Sequence, residues 1–129
     1  MIINHLIVGS SDIPASLEFY CDFLGFKKTS DDPGAEGGQV LVRDRSELIL
    51  IPTPKERLPN PIHFALEVDS LEEFENLLSK AQKMNLSPRS IPSKNSKSGA
   101  SKFSRGRYQY KIFYVFDPLG VNLEIMVKV

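Results

Sequence analysis

The chain has 129 residues, with 16 Lys and Arg balanced by 16 Asp and Glu, 41% hydrophobic and 25% charged residues, and a single cysteine. This is the composition of a soluble globular domain, of one or two subdomains, and its neutral balance gives no argument for nucleic acid or an anionic membrane as partner. One cysteine, Cys21, excludes an internal disulfide and fits a reducing compartment; no apolar run spans a bilayer and Met1 leads into a strand without a signal-peptide pattern, so a cytoplasmic location is expected.

The first strand is read from the alternation at the amino terminus, where Leu6 and Val8 share one face and Ile3, His5 and Ile7 the other. Ser10 to Asp12 with Pro14 then form a helix start, because a short polar side chain accepts from the free amides of the first turn and proline has no amide to leave unpaired. The helix that follows buries Leu17, Tyr20, Phe23 and Leu24, with Cys21 as part of its packing, and Gly25 ends it. Lys27 to Gly38 reads as a short strand and a mobile turn. Gln39–Arg43 and Glu47–Ile51 are two strands joined at Asp44-Arg45-Ser46. Four prolines in the ten residues from Pro52 to Pro61 exclude a central strand or a helix interior and mark a linker.

Beyond that linker the plan repeats. Pro61 to Ser70 is a strand feeding a helix, with Ile62, Phe64, Leu66 and Val68 on one face and His63, Ala65 and Glu67 on the other. Ser70 and Glu73 make a capping box for a helix that buries Leu71, Phe74, Leu77, Leu78 and Ala81 and ends near Asn85. Pro88 to Arg107 is serine-rich and basic through Arg89, Lys94, Lys97, Lys102, Arg105 and Arg107, and reads as a solvated, mobile loop. Tyr108–Phe116 is a strand, Asp117-Pro118-Leu119-Gly120 a tight turn, and Val121–Val129 the last strand, with Asn122, Glu124 and Met126 on one face.

Three residues stand out. Both histidines of the chain, His5 and His63, occupy equivalent places, each early in a strand and off its main apolar face. Glu124 is an acid in the middle of an apolar strand, and a carboxylate buried alone needs a proton, a cation or a metal. Two imidazoles and a carboxylate leave open positions on a divalent cation for a substrate oxygen or dioxygen. Tyr114, if it faces the same way as Glu124, can donate to an oxyanion or act as a general acid. Arg105 and Arg107 favour an anionic substrate such as a carboxylate or phosphonate. Glu67, on the His63 face, is either an acceptor behind the histidine or a strand-end surface charge.

The segments NHLIV (Asn4 to Val8), Asp12, Ser16, Phe19-Tyr20, Leu24-Gly25-Phe26, IHFALEV (Ile62 to Val68) and FDPLGVNLEI (Phe116 to Ile125) together resemble the vicinal oxygen chelate superfamily. It includes glyoxalase I, extradiol dioxygenases, fosfomycin resistance proteins, methylmalonyl-CoA epimerase and bleomycin-binding proteins. The resemblance implies an α+β fold of two βαβββ modules (1–52 and 61–129, linked by 53–60), each a partly open curved mixed sheet, around a cleft holding one divalent metal. It places the ligands on His5, His63 and Glu124, and the metal on Fe, Mn, Zn, Ni or Co. A fourth glutamate ligand of glyoxalase I falls on Leu50, which disfavours that activity. Tyr114 matches a substrate-contacting tyrosine of fosfomycin resistance transferases, whose cation-binding loop and late arginine are not matched. The resemblance further implies a small-molecule substrate and a homodimer; the remaining alternative is a metal-free protein that binds an antibiotic or metabolite.

Overall fold

The computed structural model describes residues 3–57, 63–91 and 97–129. Met1, Lys94 and the Pro61-Ile62 start of the central strand pattern lie outside them. The chain divides into two compact units, Met1–Asn60 and Pro61–Val129.

The first unit opens with β1 (Leu6–Ser10), whose Val8 and Ser10 are buried. Asp12 caps α1 (Ile13–Leu17) by accepting from the Ala15 amide, and Pro14 occupies the first turn. The helix then widens into a π-helical segment, Glu18–Phe23. The wider turn brings Phe19 inward beside Tyr20, Phe23 and Leu24, whereas Leu17, expected in the buried stripe, stays partly exposed. Three edge-on or tilted ring contacts, Phe19–Tyr20, Phe19–Phe23 and Tyr20–Phe26, hold this end together. Gly25, at φ +76°, ends it as expected. The sheet is completed by β2 (Lys27–Lys28), β3 (Gln39–Arg43) and β4 (Ser46–Pro52), in the order β1-β4-β3-β2, with β1 parallel to β4 and the other pairs antiparallel.

The second unit repeats this topology. Its sheet has the order β5-β8-β7-β6, formed by β5 (His63–Glu67), β6 (Ser101–Arg105), β7 (Tyr108–Phe116) and β8 (Asn122–Lys128), again with only the first pair parallel. Ser70 caps α2 (Leu71–Lys83) by accepting from the Glu73 amide at 3.1 Å, and Glu73 reaches back to the Asp69 amide. Phe74, Leu77, Leu78 and Ala81 are buried; Leu71, expected beside them, is exposed at the first turn. Phe74 meets Phe113 edge-on at 5.2 Å, which fixes the α2 side of β7. By alternation Tyr114 and Glu124 lie on the sheet face away from α2.

The basic segment departs from its expectation. Residues Ser101–Arg105 are not loop but β6, an edge strand paired with β7 and closed by the two-residue turn Gly106-Arg107, with Gly106 at φ +58° as the first position of such turns requires. Pairing is anchored by Ser101, buried, whose hydroxyl accepts from the Ile91 amide at 3.0 Å, and by Phe103 stacked on Tyr110. Gly99, at φ +80°, passes so close to residue 88 that a Cβ there would sit 2.6 Å from the Pro88 carbonyl oxygen.

The turn that delivers β8 is built on Asp117. Its Oδ1 accepts from the amides of Leu119 at 2.8 Å and Val121 at 2.9 Å, and it is only 4% exposed. Asp117→Ala leaves both amides without that acceptor and is expected to destabilise the chain by about 2 kcal/mol, whereas Asp117→Asn, which keeps the oxygen, recovers at least half. Chemical denaturation of the two variants checks this; equal losses would mean that the charge and not the turn geometry matters. Among the described residues no helix is long and apolar enough to cross a membrane.

Candidate functional site

The face of the second sheet turned away from α2 carries Glu124 and Tyr114 beside further polar side chains. Register sets Ala65, Glu124 and Tyr114 side by side on β5, β8 and β7, and places His63, Asn122 and Phe116 in the next row. Glu124 is 4% exposed. Its Oε2 lies 3.9 Å from His63 Nε2, and the two side chains contrast sharply, the histidine 60% and the glutamate 6% exposed. That separation is too long for a hydrogen bond. It lies within the roughly 3–4 Å expected between two donors of one divalent ion at bond lengths near 2.1 Å. Among the described residues of this unit no third His, Cys, Asp or Glu joins them in a metal-binding group.

Tyr114 is the register partner of Glu124, and its phenol is close enough for the Glu124 carboxylate to act on it. Burial pushes the Tyr114 phenol above its ordinary value, the Glu124 charge and hydrogen bond push the same way, and Arg105 and Arg89 oppose them. The phenol therefore keeps its proton at neutral pH and remains a donor.

Arg89 is the member of this cluster that the sequence did not single out as a site residue. Its backbone pairs with Tyr114, amide to carbonyl in both directions at 2.9 and 2.8 Å, so it continues the edge of β7 where β6 stops. Its guanidinium lies over the Phe116 ring, 3.8 Å from the centroid, and Nη2 donates to Asn122 Oδ1 at 2.5 Å. Nε is buried and has no hydrogen-bond partner among the described residues. An unpaired buried donor is unfavourable by roughly 1–3 kcal/mol.

The two arginines expected to meet substrate lie toward the β6–β7 hairpin end of the sheet. Arg105 pairs with Tyr108, six residues and about 20 Å along β7 from Tyr114. Its side chain leans over Phe103 and its charge reaches Tyr114. Arg107 occupies the hairpin turn, donates to the Tyr108 hydroxyl at 2.8 Å and stacks on that ring, so its backbone position is remote from Glu124 within this unit. Glu67 faces Lys128 at 3.7 Å with both side chains about half exposed, a surface ion pair contributing about 0–1 kcal/mol.

In the first unit His5 is exposed and immediately precedes β1; its Nδ1 is 2.9 Å from Asn4 Oδ1. The amide oxygen can only accept, so Nδ1 is the donor in this contact. The place matching Glu124 is Ile49, not Leu50. Glu124 faces Ala65, two residues after His63; the residue facing Ile7, two after His5, is Ile49. Leu50 instead faces Val8, on the side where Ser10 bonds Ser16 of α1 at 2.7 Å. Tyr114 has its counterpart in Val40, paired with Ile49. The first sheet thus offers aliphatic side chains where the second offers an acid and a phenol, and neither Ile49 nor Leu50 can supply a fourth ligand.

A sequence model described as the Glyoxalase/Bleomycin resistance protein/Dioxygenase superfamily matches residues 2–125. Among solved structures, a virulence protein from Salmonella typhimurium superposes with a TM-score of 0.76 at 19% identity, covering 100% of this chain and 98% of its own. A glyoxalase/bleomycin resistance protein/dioxygenase from Alicyclobacillus acidocaldarius gives 0.73 at 19% identity, covering 98% and 91%. A lactoylglutathione lyase from Agrobacterium tumefaciens gives 0.70 at 17% identity, covering 98% and 92%. At these identities the likeness is one of fold. A search of curated protein sequences returned no match.

Proposed function

Because the chain belongs to the Glyoxalase/Bleomycin resistance protein/Dioxygenase superfamily, we propose that it is a divalent-metal-dependent enzyme acting on a small anionic substrate through His5, His63 and Glu124. The observation that carries this reading is Glu124: an acid 4% exposed, in an apolar strand, with the His63 imidazole 3.9 Å from its carboxyl oxygen. A buried acid of this kind takes a proton, a cation or a metal, and we prefer a metal shared with His63. His63 and Glu124 fit one end of a ligand set, and His5 is its counterpart by the repeat of the fold. Bound there, a divalent ion of the Fe, Mn, Zn, Ni or Co type supplies Lewis acidity to a chelated pair of substrate oxygens.

The chain's own residues do the rest. Tyr114, kept protonated beside Glu124, has one O–H, and turned from Glu124 to the oxygen on which negative charge develops it would be worth about 100- to 1,000-fold in rate where such a donor is well placed. Arg105 adds positive field on the same face. Three ligands rather than four leave positions for substrate, and with Ile49 aliphatic the four-ligand centre of glyoxalase I is not assembled. Lyase, isomerase, thiol-transfer or oxygenase chemistry all suit such a centre, and the fold does not select among them.

The aliphatic face of the first unit supports a second reading, a metal-free homodimer that binds an antibiotic or metabolite without turnover. Native mass spectrometry of the untagged chain separates the two. One divalent ion per chain, lost in His63→Ala, is the expected result, and the same spectrum reports whether the chain is a homodimer. Absence of metal in the native chain, even after reconstitution, overturns the enzyme reading in favour of the binding one.

A further inference from the structure

We propose that β6 is a docking edge for an acidic, extended segment of a partner protein, which adds to the second sheet as a further strand with its carboxylates against Lys102 and Arg105.

The edge is defined by the way its backbone faces. On β7 the Gln109 carbonyl accepts from the Val129 amide, on the β8 side, whereas Tyr114 exchanges two bonds with Arg89 on the other side. Odd positions of β7 therefore face β8, and even positions face β6. Tyr108, Tyr110 and Ile112 are the register partners of Arg105, Phe103 and Ser101, so these three residues of β6 carry the ladder. Lys102 and Ser104 turn their amides and carbonyls outward, and β6 is the last strand in the sheet order. Both residues are exposed, and among the described residues no backbone group bonds to them from outside. Two donors and two acceptors stand open in a row, the pattern that accepts an added strand.

Charge selects the occupant. From Lys80 to Lys111 the chain carries nine Lys and Arg and no Asp or Glu. Lys111 is paired with Glu75 of α2, whereas Lys102, Arg105 and Arg107 form no ion pair among the described residues. Alternation puts Lys102 on the α2 face and Arg105 on the other, so cations flank the open edge on both sides. Arg105 lies over the Phe103 ring, 5.2 Å from its centroid, and Phe103 is stacked on Tyr110 at 5.4 Å, which orders the guanidinium without cancelling its charge. A second copy of β6 brings the same cations and is repelled, while an acidic strand is attracted. Register sets the segment: two acids three residues apart, one opposite Lys102 and one opposite Arg105, on opposite faces of the added strand, with β-branched residues between them facing Phe103 and Ser104.

The test uses the full chain and the acetylated, amidated peptide Thr-Glu-Val-Val-Glu-Thr, which reads alike in both strand directions. In a nitrogen-15 correlation spectrum the Lys102 and Ser104 amides are expected to move downfield and saturate, while those of Phe103 and Arg105, already bonded to β7, move less. The peptide with Lys in place of both Glu is expected to bind about 10-fold more weakly or worse, and to regain affinity for the Lys102→Glu, Arg105→Glu double variant. Ser104→Pro removes one outward amide that the ladder does not use, and is expected to abolish peptide binding with no change of charge. Lys102 and Ser104 amides that stay in place in the native chain, or undiminished binding by a folded Ser104→Pro chain, would overturn strand addition; where Ser104→Pro does not fold, the native amide shifts decide. Oligothymidine of equal charge that binds more tightly than the peptide and moves the same amides would overturn the protein partner in favour of a nucleic acid.

Discussion

A Glu124→Gln chain is expected to melt no lower than the native chain in the presence of a chelator, and to lose divalent-cation affinity by about 100-fold or more. The two halves of that result have one cause. Glu124 is 4% exposed and its partner His63 is mostly in solvent, so without a cation the carboxylate is a charge removed from water with little in return. Glutamine keeps the shape of the side chain and still accepts the Tyr114 hydrogen bond, but needs no counter-charge. Loss of a direct ligand is expected to exceed the 10- to 100-fold typical of losing a group that only orients one. The order of melting should therefore invert with conditions. In excess cation at about 100 times its dissociation constant the native chain gains roughly 2.7 kcal/mol while the variant gains almost nothing. Thermal melts with chelator and with manganese, zinc or cobalt, beside calorimetric titration, read both quantities. Equal cation binding in the two chains, or a variant several degrees less stable under chelator, would make Glu124 a structural residue.

Strand periodicity explains what the sequence disclosed and what it hid. In β5 only one face is apolar, so alternation from His63 to Val68 assigned every side chain correctly, and the βαβββ plan appears twice as the orders β1-β4-β3-β2 and β5-β8-β7-β6. In β4 the run from Leu48 to Ile51 is apolar on both faces, so a period of two carries no information: the resemblance puts the glyoxalase I glutamate at Leu50, whereas strand register makes Ile49 the counterpart of Glu124. The edge strand β6 was missed because Ser101-Lys102-Phe103-Ser104-Arg105 carries the charged and polar side chains that protect an exposed edge, and these read as loop. Arg89 was counted only among the charges of that loop. Its position follows from a bridge to Tyr114, 25 residues away, and no local pattern announces a contact of that kind.

Phe113→Ala is expected to destabilise the second unit by about 3–5 kcal/mol, while Tyr114→Phe, one residue further along the same strand, should change stability by less than about 1 kcal/mol. Phe113 is fully buried on the α2 face, edge-on to Phe74, and truncating it empties space between sheet and helix that neither rigid element can close. A loss of that size is a large part of the 5–15 kcal/mol that holds a typical domain folded. Tyr114 lies on the other face, partly exposed, and its replacement removes one hydroxyl and its bond to Glu124 while the ring remains. Urea titrations with unchanged slopes would give both values. The contrast separates the two jobs of β7: odd positions such as 113 and 115 bind the helix, and even positions such as 114 and 116 build the site. If Tyr114→Phe proved as damaging to stability as Phe113→Ala, the division of faces would fail, and with it the placement of Glu124, Tyr114 and Arg89 on a common functional surface.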